Sequence, residues 1–245
     1  MKLKLEFVNK VPKDAKDNEI ILVKDKLSKI KIPKSSNNSI FRNKLFLEKK
    51  FFLKSLDDKT YTFVNCTKSK TSLDYEKLGS ELYIFLKNNK IENSFLISHT
   101  AHLTNIQIEK FLHGAQLKSY TFNVYKTQNE MNEKTNLYVV GDKSKKTNSL
   151  RMKLNSLLEG VFLTRDLVSE PGNILHPDEY AKRINSLKKD GLKINIYDQK
   201  KLKKLGMRAL LGVGQGSVRG SYLVTMEWKG TKNNSKPLAF VGKGV

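Results

Sequence analysis

The sequence of 245 residues contains a single cysteine, only six arginines and no long apolar run. One cysteine, Cys66, cannot form a disulfide within the chain or build a cysteine-based zinc cluster, which excludes disulfide-rich secreted domains and zinc fingers. The longest apolar stretches are far shorter than the roughly 18 to 20 residues that a membrane-spanning helix needs. Glu6 falls where a secretory signal would be apolar, so we expect no cleavable leader. These absences predict a soluble protein of a reducing, cytoplasmic compartment with no membrane partner.

Acidic residues are scarce relative to basic ones, and the formal net charge is +22. This charge suggests a nucleic-acid partner, because lysine and arginine neutralise phosphates and release counterions. However, 40 of the 46 basic residues are lysines, whereas arginine is favoured for bidentate recognition of bases and phosphates. The excess is also spread over the chain, with +14 in residues 1–155 and +8 in residues 156–245. We therefore favour a solvated basic surface, and a nucleic-acid-binding face stays open as the alternative.

Along the first 145 positions, segments with the apolar spacing of strands are followed by segments with the apolar spacing of helices. Short runs rich in branched and aromatic residues predict five strands, at Leu3–Phe7, Ile20–Val23, Tyr61–Val64, Phe95–Ile97 and Leu137–Val140. Helical spacing over Leu73–Leu86 and Ile108–Ala115 predicts helices between the last three strands. This alternation is typical of an α/β domain with a largely parallel sheet. The segment from Lys24 to Lys59 has no clear period, and we predict a loop there with a hairpin around Leu45–Leu53.

A polar, lysine-rich stretch at Gly141–Ser149 predicts a boundary between two domains. After it, apolar residues from Leu150 to Val168 follow one face of a long helix that we expect to end near Pro171 and to link the domains. A second α/β unit follows, with five predicted elements: a helix from Pro177 that closes at Gly191, a strand at Leu192–Tyr197, a short helix at Gln199–Leu205, and strands at Tyr222–Trp228 and Leu238–Val241. Because the chain stops just after the last strand, we expect this unit to be incomplete.

Few residues could carry chemistry by their pattern alone. His99 and His102, together with His113, could begin a metal site, but no carboxylate stands close in the sequence. We therefore favour ordinary packed or solvated histidines. Cys66 at a strand end is more typical of a small buried hydrophobic residue than of a nucleophile.

Two glycine motifs stand in the last part of the chain. Gly212–Ser217 has three glycines at alternate positions, which match neither a Walker A loop nor a dinucleotide fingerprint. We predict a tight loop that needs glycine for positive φ or close packing, with a phosphate cradle as the alternative. Lys243 stands between two glycines after the predicted strand Leu238–Val241, at the strand end where open α/β sheets place ligands. A solvated lysine is the alternative there.

Three ordered motifs resemble the leucine (cytosol) aminopeptidase family of two-metal exopeptidases. They are Thr164–Asn173 followed by Pro177 and Tyr180-Ala, then Leu205–Ser217, then Leu238–Val245. The α/β pattern of the first part is compatible with the macro-like amino-terminal domain of that family. The resemblance implies a macro-like domain at 1–145, a linking helix at 146–170, and an incomplete start of the metallo-aminopeptidase catalytic domain at 171–245.

The resemblance implies an enzyme that removes amino-terminal residues from peptides with a free amino terminus. Its cofactors would be two divalent metal ions, manganese or zinc and possibly magnesium, which activate a water molecule. The family lysine that Lys243 matches is an amine ligand of one ion. The family's other ligands, its electrophilic lysine and its arginine match no residue present, so no catalytic residue is assigned and we expect this chain to be inactive alone. The complete protein is expected to be a cytoplasmic homohexamer.

Two functions of other classes stay open. A macro-like module could bind a nucleotide such as ADP-ribose, but this would require a phosphate-binding glycine loop, and only Gly79, Gly114 and Gly141 occur in the first 145 residues. A nucleic-acid-binding protein would show a steep loss of affinity with salt.

Overall fold

The computed structural model describes residues 3–12, 17–24, 48–56, 59–98, 101–127, 134–141, 145–230 and 236–244. The chain divides into two compact units, residues 1–164 and 165–245. Within the described ranges, no helix combines the length and the apolar character that crossing a membrane requires.

A six-stranded sheet forms the centre of the first unit. Its strands are β1 (Lys4–Val8), β2 (Asn18–Val23), β3 (Phe51–Leu56), β4 (Lys59–Asn65), β5 (Asn93–Ile97) and β6 (Asn136–Val140). They lie in the order β1-β6-β5-β2-β4-β3, and every neighbouring pair is parallel except β3 with β4. The five predicted strands and the parallel α/β class are confirmed.

The hairpin of the first unit lies later in the chain than predicted. The residues from 25 to 47 are outside the described part, whereas β3 and β4 form an antiparallel pair in which Leu56 is opposite Lys59. The predicted hairpin around Leu45–Leu53 is therefore wrong in position: Phe51–Leu53 belong to the first strand of the observed pair, and residues 45–47 lie outside the described part.

Buried polar side chains connect the three central strands. Asn18 of β2 accepts a hydrogen bond from Thr62 Oγ1 of β4 at 2.8 Å and donates from Nδ2 to Ser94 Oγ of β5 at 3.0 Å. All three residues are buried. Since buried polar groups are costly only when unpaired, this chain of bonds favours the observed register over alternatives that would leave the groups without partners.

Two capped helices cover the sheet and pack on each other. α1 (Ser72–Asn88) begins with a capping box between Thr71 and Asp74, and α2 (Asn105–Lys118) begins with one between Thr104 and Gln107. Their apolar faces include Leu78, Leu82, Phe111 and Leu112, which belong to the main core. Both predicted helices are confirmed.

A long helix, α3 (Lys145–Ser169), follows β6, and the boundary between the units lies within it after Thr164. In the first unit Arg151 of α3 donates from Nε to Oε1 of Glu109 at 3.1 Å, and its guanidinium carbon lies 3.3 Å from the centre of the Phe7 ring. Glu109 is 3% exposed, so this carboxylate is paired where water does not reach it. The predicted helix and its end before Pro171 are confirmed, and the domain boundaries at residues 145 and 170 stay predictions.

The second unit contains shorter elements: α4 (Pro177–Ser186), a 3₁₀ helix (Leu187–Asp190), β7 (Lys193–Tyr197), α5 (Gln199–Lys204), α6 (Arg208–Val213) and β8 (Leu223–Glu227). β7 and β8 form an antiparallel pair in which Ile194 is opposite Met226. Ala181, Ile194 and Leu202 are the buried apolar residues of this unit among those described. Gly191 and Gly206 have positive φ and follow helical segments, as glycine does at helix ends.

Candidate functional site

Lys243 lies in a segment, residues 236–244, that is exposed and has no regular secondary structure. The predicted strand at Leu238–Val241 is wrong: Leu238, Phe240 and Val241 are 80%, 89% and 98% exposed. A strand needs a hydrogen-bonded neighbour, and β7 and β8, the strands of the described second unit, pair with each other. Lys243 therefore does not extend from a strand end in this structure.

The side chain of Lys243 is exposed, and no ion pair or hydrogen bond joins it to another described residue. Lysine ligates a metal only as the neutral amine, and losing the proton at pH 7 costs roughly 4 to 5 kcal/mol. A metal held by several donors can offset this cost. Within the described ranges, no three histidine, cysteine or carboxylate side chains converge to hold an ion. The described residues therefore offer one amine and do not fit a complete two-ion centre.

The glycine-rich segment Gly212–Ser217 is divided between a helix and a turn. Gly212 lies inside α6, and the turn begins at Gly214. The prediction of a continuous loop is wrong here, because Ala209-Leu-Leu211 are strong helix formers. A Cβ on Gly214 would overlap Ser221 Oγ, whereas Gly212 and Gly216 face open space. Close packing thus explains glycine at one of the three positions, and none of the three has positive φ.

The start of α4 is capped by its own sequence. His176 Nδ1 accepts a hydrogen bond from the Glu179 backbone N–H at 3.4 Å, and Pro177 occupies the first helical position, where no donor is needed. Asp178 and Glu179 place negative charge at the positive end of the helix dipole. The predicted helix start at His176-Pro177 is therefore confirmed.

Asp178 joins the start of α4 to the chain that follows the glycine-rich segment. Tyr222 donates its hydroxyl to Asp178 Oδ1 at 2.8 Å, and Arg219 Nη1 lies 3.8 Å from Oδ2. The hydrogen bond to Asp178 is the main reason that the pKa of Tyr222 is raised. Sequence reasoning missed this cluster, because 44 residues separate Asp178 from Tyr222 and the patterns of the helix start and of the strand give no sign that the two meet.

A second polar group fastens α4 to the end of α3. Arg183 donates from Nη1 to Glu170 Oε1 at 2.9 Å and from Nε to Glu179 Oε1 at 3.2 Å. The bond from Arg183 lowers the pKa of Glu179, and the bond to Glu170 raises the pKa of Arg183. Charge-assisted hydrogen bonds therefore hold the first two turns of α4.

The last described residues approach the same helix. A Cβ built on Gly244 would lie 3.5 Å from Tyr180 Cε1, an ordinary van der Waals separation. Tyr180 follows Asp178 by two positions at the start of α4. The start of α4 therefore lies near the third motif, at Gly244, and near Arg219 and Tyr222, which follow the second motif in the chain.

The histidine and cysteine candidates do not form a site in the described part of the chain. His102 is exposed and His113 is buried in α2, while His99 lies outside the described residues. Cys66 is fully buried, and burial raises the pKa of its thiol to about 12. The interpretation of Cys66 as a small buried hydrophobic residue is confirmed, since almost no thiolate exists at pH 7.

His113 is expected to make the first unit less stable in acid. Desolvation lowers the pKa of its imidazole, with Glu76 opposing and Lys110 adding to the shift, and Nδ1 has no hydrogen-bond partner among the described residues. A base whose folded-state pKa is depressed binds its proton more readily in the unfolded chain, so stability is present above the unfolded-state value of about 6.5 and falls as the pH decreases through it.

Urea unfolding between pH 7.5 and pH 5 measures this effect. His113→Gln should flatten the decrease in the free energy of unfolding, while His102→Gln, at an exposed histidine, should leave it unchanged. Equal pH slopes in the wild type and in His113→Gln would contradict the prediction.

Comparison with known proteins gives one family. Residues 162–245 match the model of the cytosol aminopeptidase family, catalytic domain. A probable cytosol aminopeptidase of Sinorhizobium fredii is 38% identical over 187 residues, which cover 71% of this chain and 36% of that protein. Its counterpart in Brucella melitensis is 46% identical over 137 residues, covering 54% of this chain and 28% of that protein. The chain thus spans about a third of the length of the curated relatives it matches.

Solved structures are similar in fold. A variant of tomato leucine aminopeptidase aligns with 95% of this chain and 52% of its own, with a TM-score of 0.73 and 20% identity. The bottromycin maturation enzyme BotP in complex with Mn aligns with 88% of this chain and 46% of its own, with a TM-score of 0.66 and 17% identity. At these identities the likeness concerns the fold, and it includes both units of the chain. On the sequence matches, which include the family's catalytic domain and the 38% identical relative aligned with 71% of this chain, the chain belongs to the cytosol aminopeptidase family.

Proposed function

We propose that the whole protein is a metal-dependent aminopeptidase that removes amino-terminal residues, leucine-like ones preferentially, from peptides with a free amino terminus. The observation that carries this proposal is the match of residues 162–245 to the family's catalytic domain. The fold of both units agrees with that of a leucine aminopeptidase. The comparisons do not favour the nucleotide-binding or the nucleic-acid-binding alternative.

Within this proposal, Lys243 is an amine ligand of one of two divalent ions, manganese or zinc and possibly magnesium. Its place in the Leu238–Val245 motif supports the assignment, as does a side chain that no described residue engages. The Mn that BotP binds supports a divalent ion in this fold. Such ions supply Lewis acidity for peptide hydrolysis. The further donors would come from sequence that the relatives have and this chain does not match.

We also propose that the whole protein is a cytoplasmic homohexamer, as the family resemblance implies. The relatives in Sinorhizobium fredii and Brucella melitensis are named cytosol aminopeptidases. Sedimentation of the complete protein at micromolar concentration would measure the assembly state, and a monomer would contradict this part of the proposal.

The activity is tested by completing the chain. We expect the 245-residue chain alone to show no turnover of leucine-p-nitroanilide above a manganese-only blank, because only Lys243 of the proposed ligands is present. A chimera that continues from Val245 into the remaining catalytic domain of the Brucella melitensis relative should hydrolyse the substrate when manganese is added. A folded chimera that binds manganese without hydrolysing the substrate would overturn the proposed function, and turnover by the chain alone would overturn the assignment of the missing donors.

A further inference from the structure

Tyr180 belongs to the first family-like motif, yet the proposed function gives it no role. It lies at the start of α4, and it is 37% exposed. The positions nearest to a Cβ on Gly244 are Tyr180 Cε1 at 3.5 Å and Cδ1 at 3.8 Å. The ring edge, and not the hydroxyl, is therefore the part of Tyr180 that lies nearest to the side-chain position of residue 244.

The helix that carries Tyr180 is held by side-chain hydrogen bonds at its first two turns. Its first turn is capped by His176 and joined to Tyr222 through Asp178. Arg183 links its next turn to Glu170 at the end of α3. A group that must be held in a fixed position is held most precisely by a rigid element whose side chains are locked by neighbours.

The segment that contains Lys243, by contrast, has no secondary structure to hold it. Residues 236–244 are exposed, and Gly242 has no atom near the position of a Cβ. Gly244 is the glycine of this segment that lies close to another element, and it is adjacent to Lys243 in the chain. The ring of Tyr180 is therefore the contact through which a rigid helix can restrict the position of the lysine.

We propose that Tyr180 is a positioning residue for Lys243: its ring seats Gly244 against the start of α4 and thereby restricts the backbone from which the lysine side chain extends. The inference rests on the proposed ligand role of Lys243. The first turn of α4, which Tyr222 contacts through Asp178, would thus also carry the residue that seats Gly244.

The contact is tested in the 245-residue chain without any metal or activity. With ¹⁵N-glycine labelling, the Gly244 resonances are assigned by their loss in Gly244→Ala, whose methyl group meets Tyr180 at an ordinary distance. We expect the Gly244 α-proton signal to carry a ring-current shift that disappears in Tyr180→Leu and persists in Tyr180→Phe. Tyr125→Leu, at an exposed tyrosine of the first unit, should leave it in place. Equal Gly244 shifts in the wild type and Tyr180→Leu would overturn the proposal.

A second measurement uses the chimera described above. Tyr180→Leu should lower kcat by roughly 10-fold or more, as loss of a group that orients a ligand does, while Tyr180→Phe should restore it and Tyr125→Leu should have no effect. Full kcat in a Tyr180→Leu chimera would overturn the positioning role and leave the proposed function intact. If every chimera is inactive, the proposed function fails, and the Gly244 resonances alone decide whether Tyr180 seats the segment.

Discussion

Replacing Lys243 with alanine in the completed enzyme is expected to lower kcat/KM for leucine-p-nitroanilide by roughly 100-fold or more, since even residues that only orient metal ligands commonly contribute 10- to 100-fold. The side chain is exposed and packs on nothing described, so its removal should not alter the unfolding temperature of the chain. Metal stoichiometry should decrease at one of the two ions. Turnover, metal content and thermal unfolding of the same variant separate loss of a ligand from loss of the fold.

Arginine at the same position distinguishes a ligand from a solvated charge. Lys243→Arg keeps the positive charge and the length, but guanidinium stays protonated at any working pH and has no lone pair to donate. We therefore expect it to be nearly as inactive as the alanine variant. Lys236→Arg is the matched control, because Lys236 is an exposed lysine of the same segment. Near-normal activity of Lys243→Arg would eliminate the ligand role.

Placing a methyl group at Gly79 or Gly114 is expected to destabilise the first unit by about 3 kcal/mol, at the upper end of the usual cost of overpacking a core. A Cβ on Gly79 would overlap the carbonyl oxygen of Phe111, and a Cβ on Gly114 would overlap that of Glu76. The two helix backbones therefore touch reciprocally where α1 and α2 cross. Both obstacles are backbone atoms, so neither can be relieved by rotating a side chain, and the helices must separate.

Gly160→Ala is the matched control for this crossing. Gly160 is also inside a helix, α3, but it is exposed and no atom lies within 4 Å of the position of its Cβ. Alanine should stabilise there by about 1 kcal/mol through helix propensity. Thermal unfolding should show a decrease of roughly 6 to 12 °C for Gly79→Ala or Gly114→Ala and a small increase for Gly160→Ala. A decrease of similar size at all three positions would contradict the packing argument.

Lys243 is proposed as a metal ligand on the basis of motif resemblance and not of local chemistry. Nothing in the residue types around Lys243 distinguishes it from the other 39 lysines except its flanking glycines. The structure adds two proximities that the motifs did not contain. Asp178 at the start of α4 is bonded to the chain that follows the glycine-rich segment, and Tyr180 of the same helix lies near Gly244. Such contacts join positions dozens of residues apart, and a single sequence carries no signal for them.

The sequence by itself determined the elements whose signals are local. The branched run at Ile20–Val23 and the helical spacing of apolar residues over Leu73–Leu86 each specify structure locally, and both elements were predicted and found. Tertiary structure decided what depends on a distant partner. The apolar run at Leu238–Val241 is as strand-like as Ile20–Val23, yet it forms no strand in this structure. The physical reason is that Ile20–Val23 lies between β4 and β5, which satisfy its backbone groups and bury its side chains, whereas no described strand is placed to do the same for Leu238–Val241.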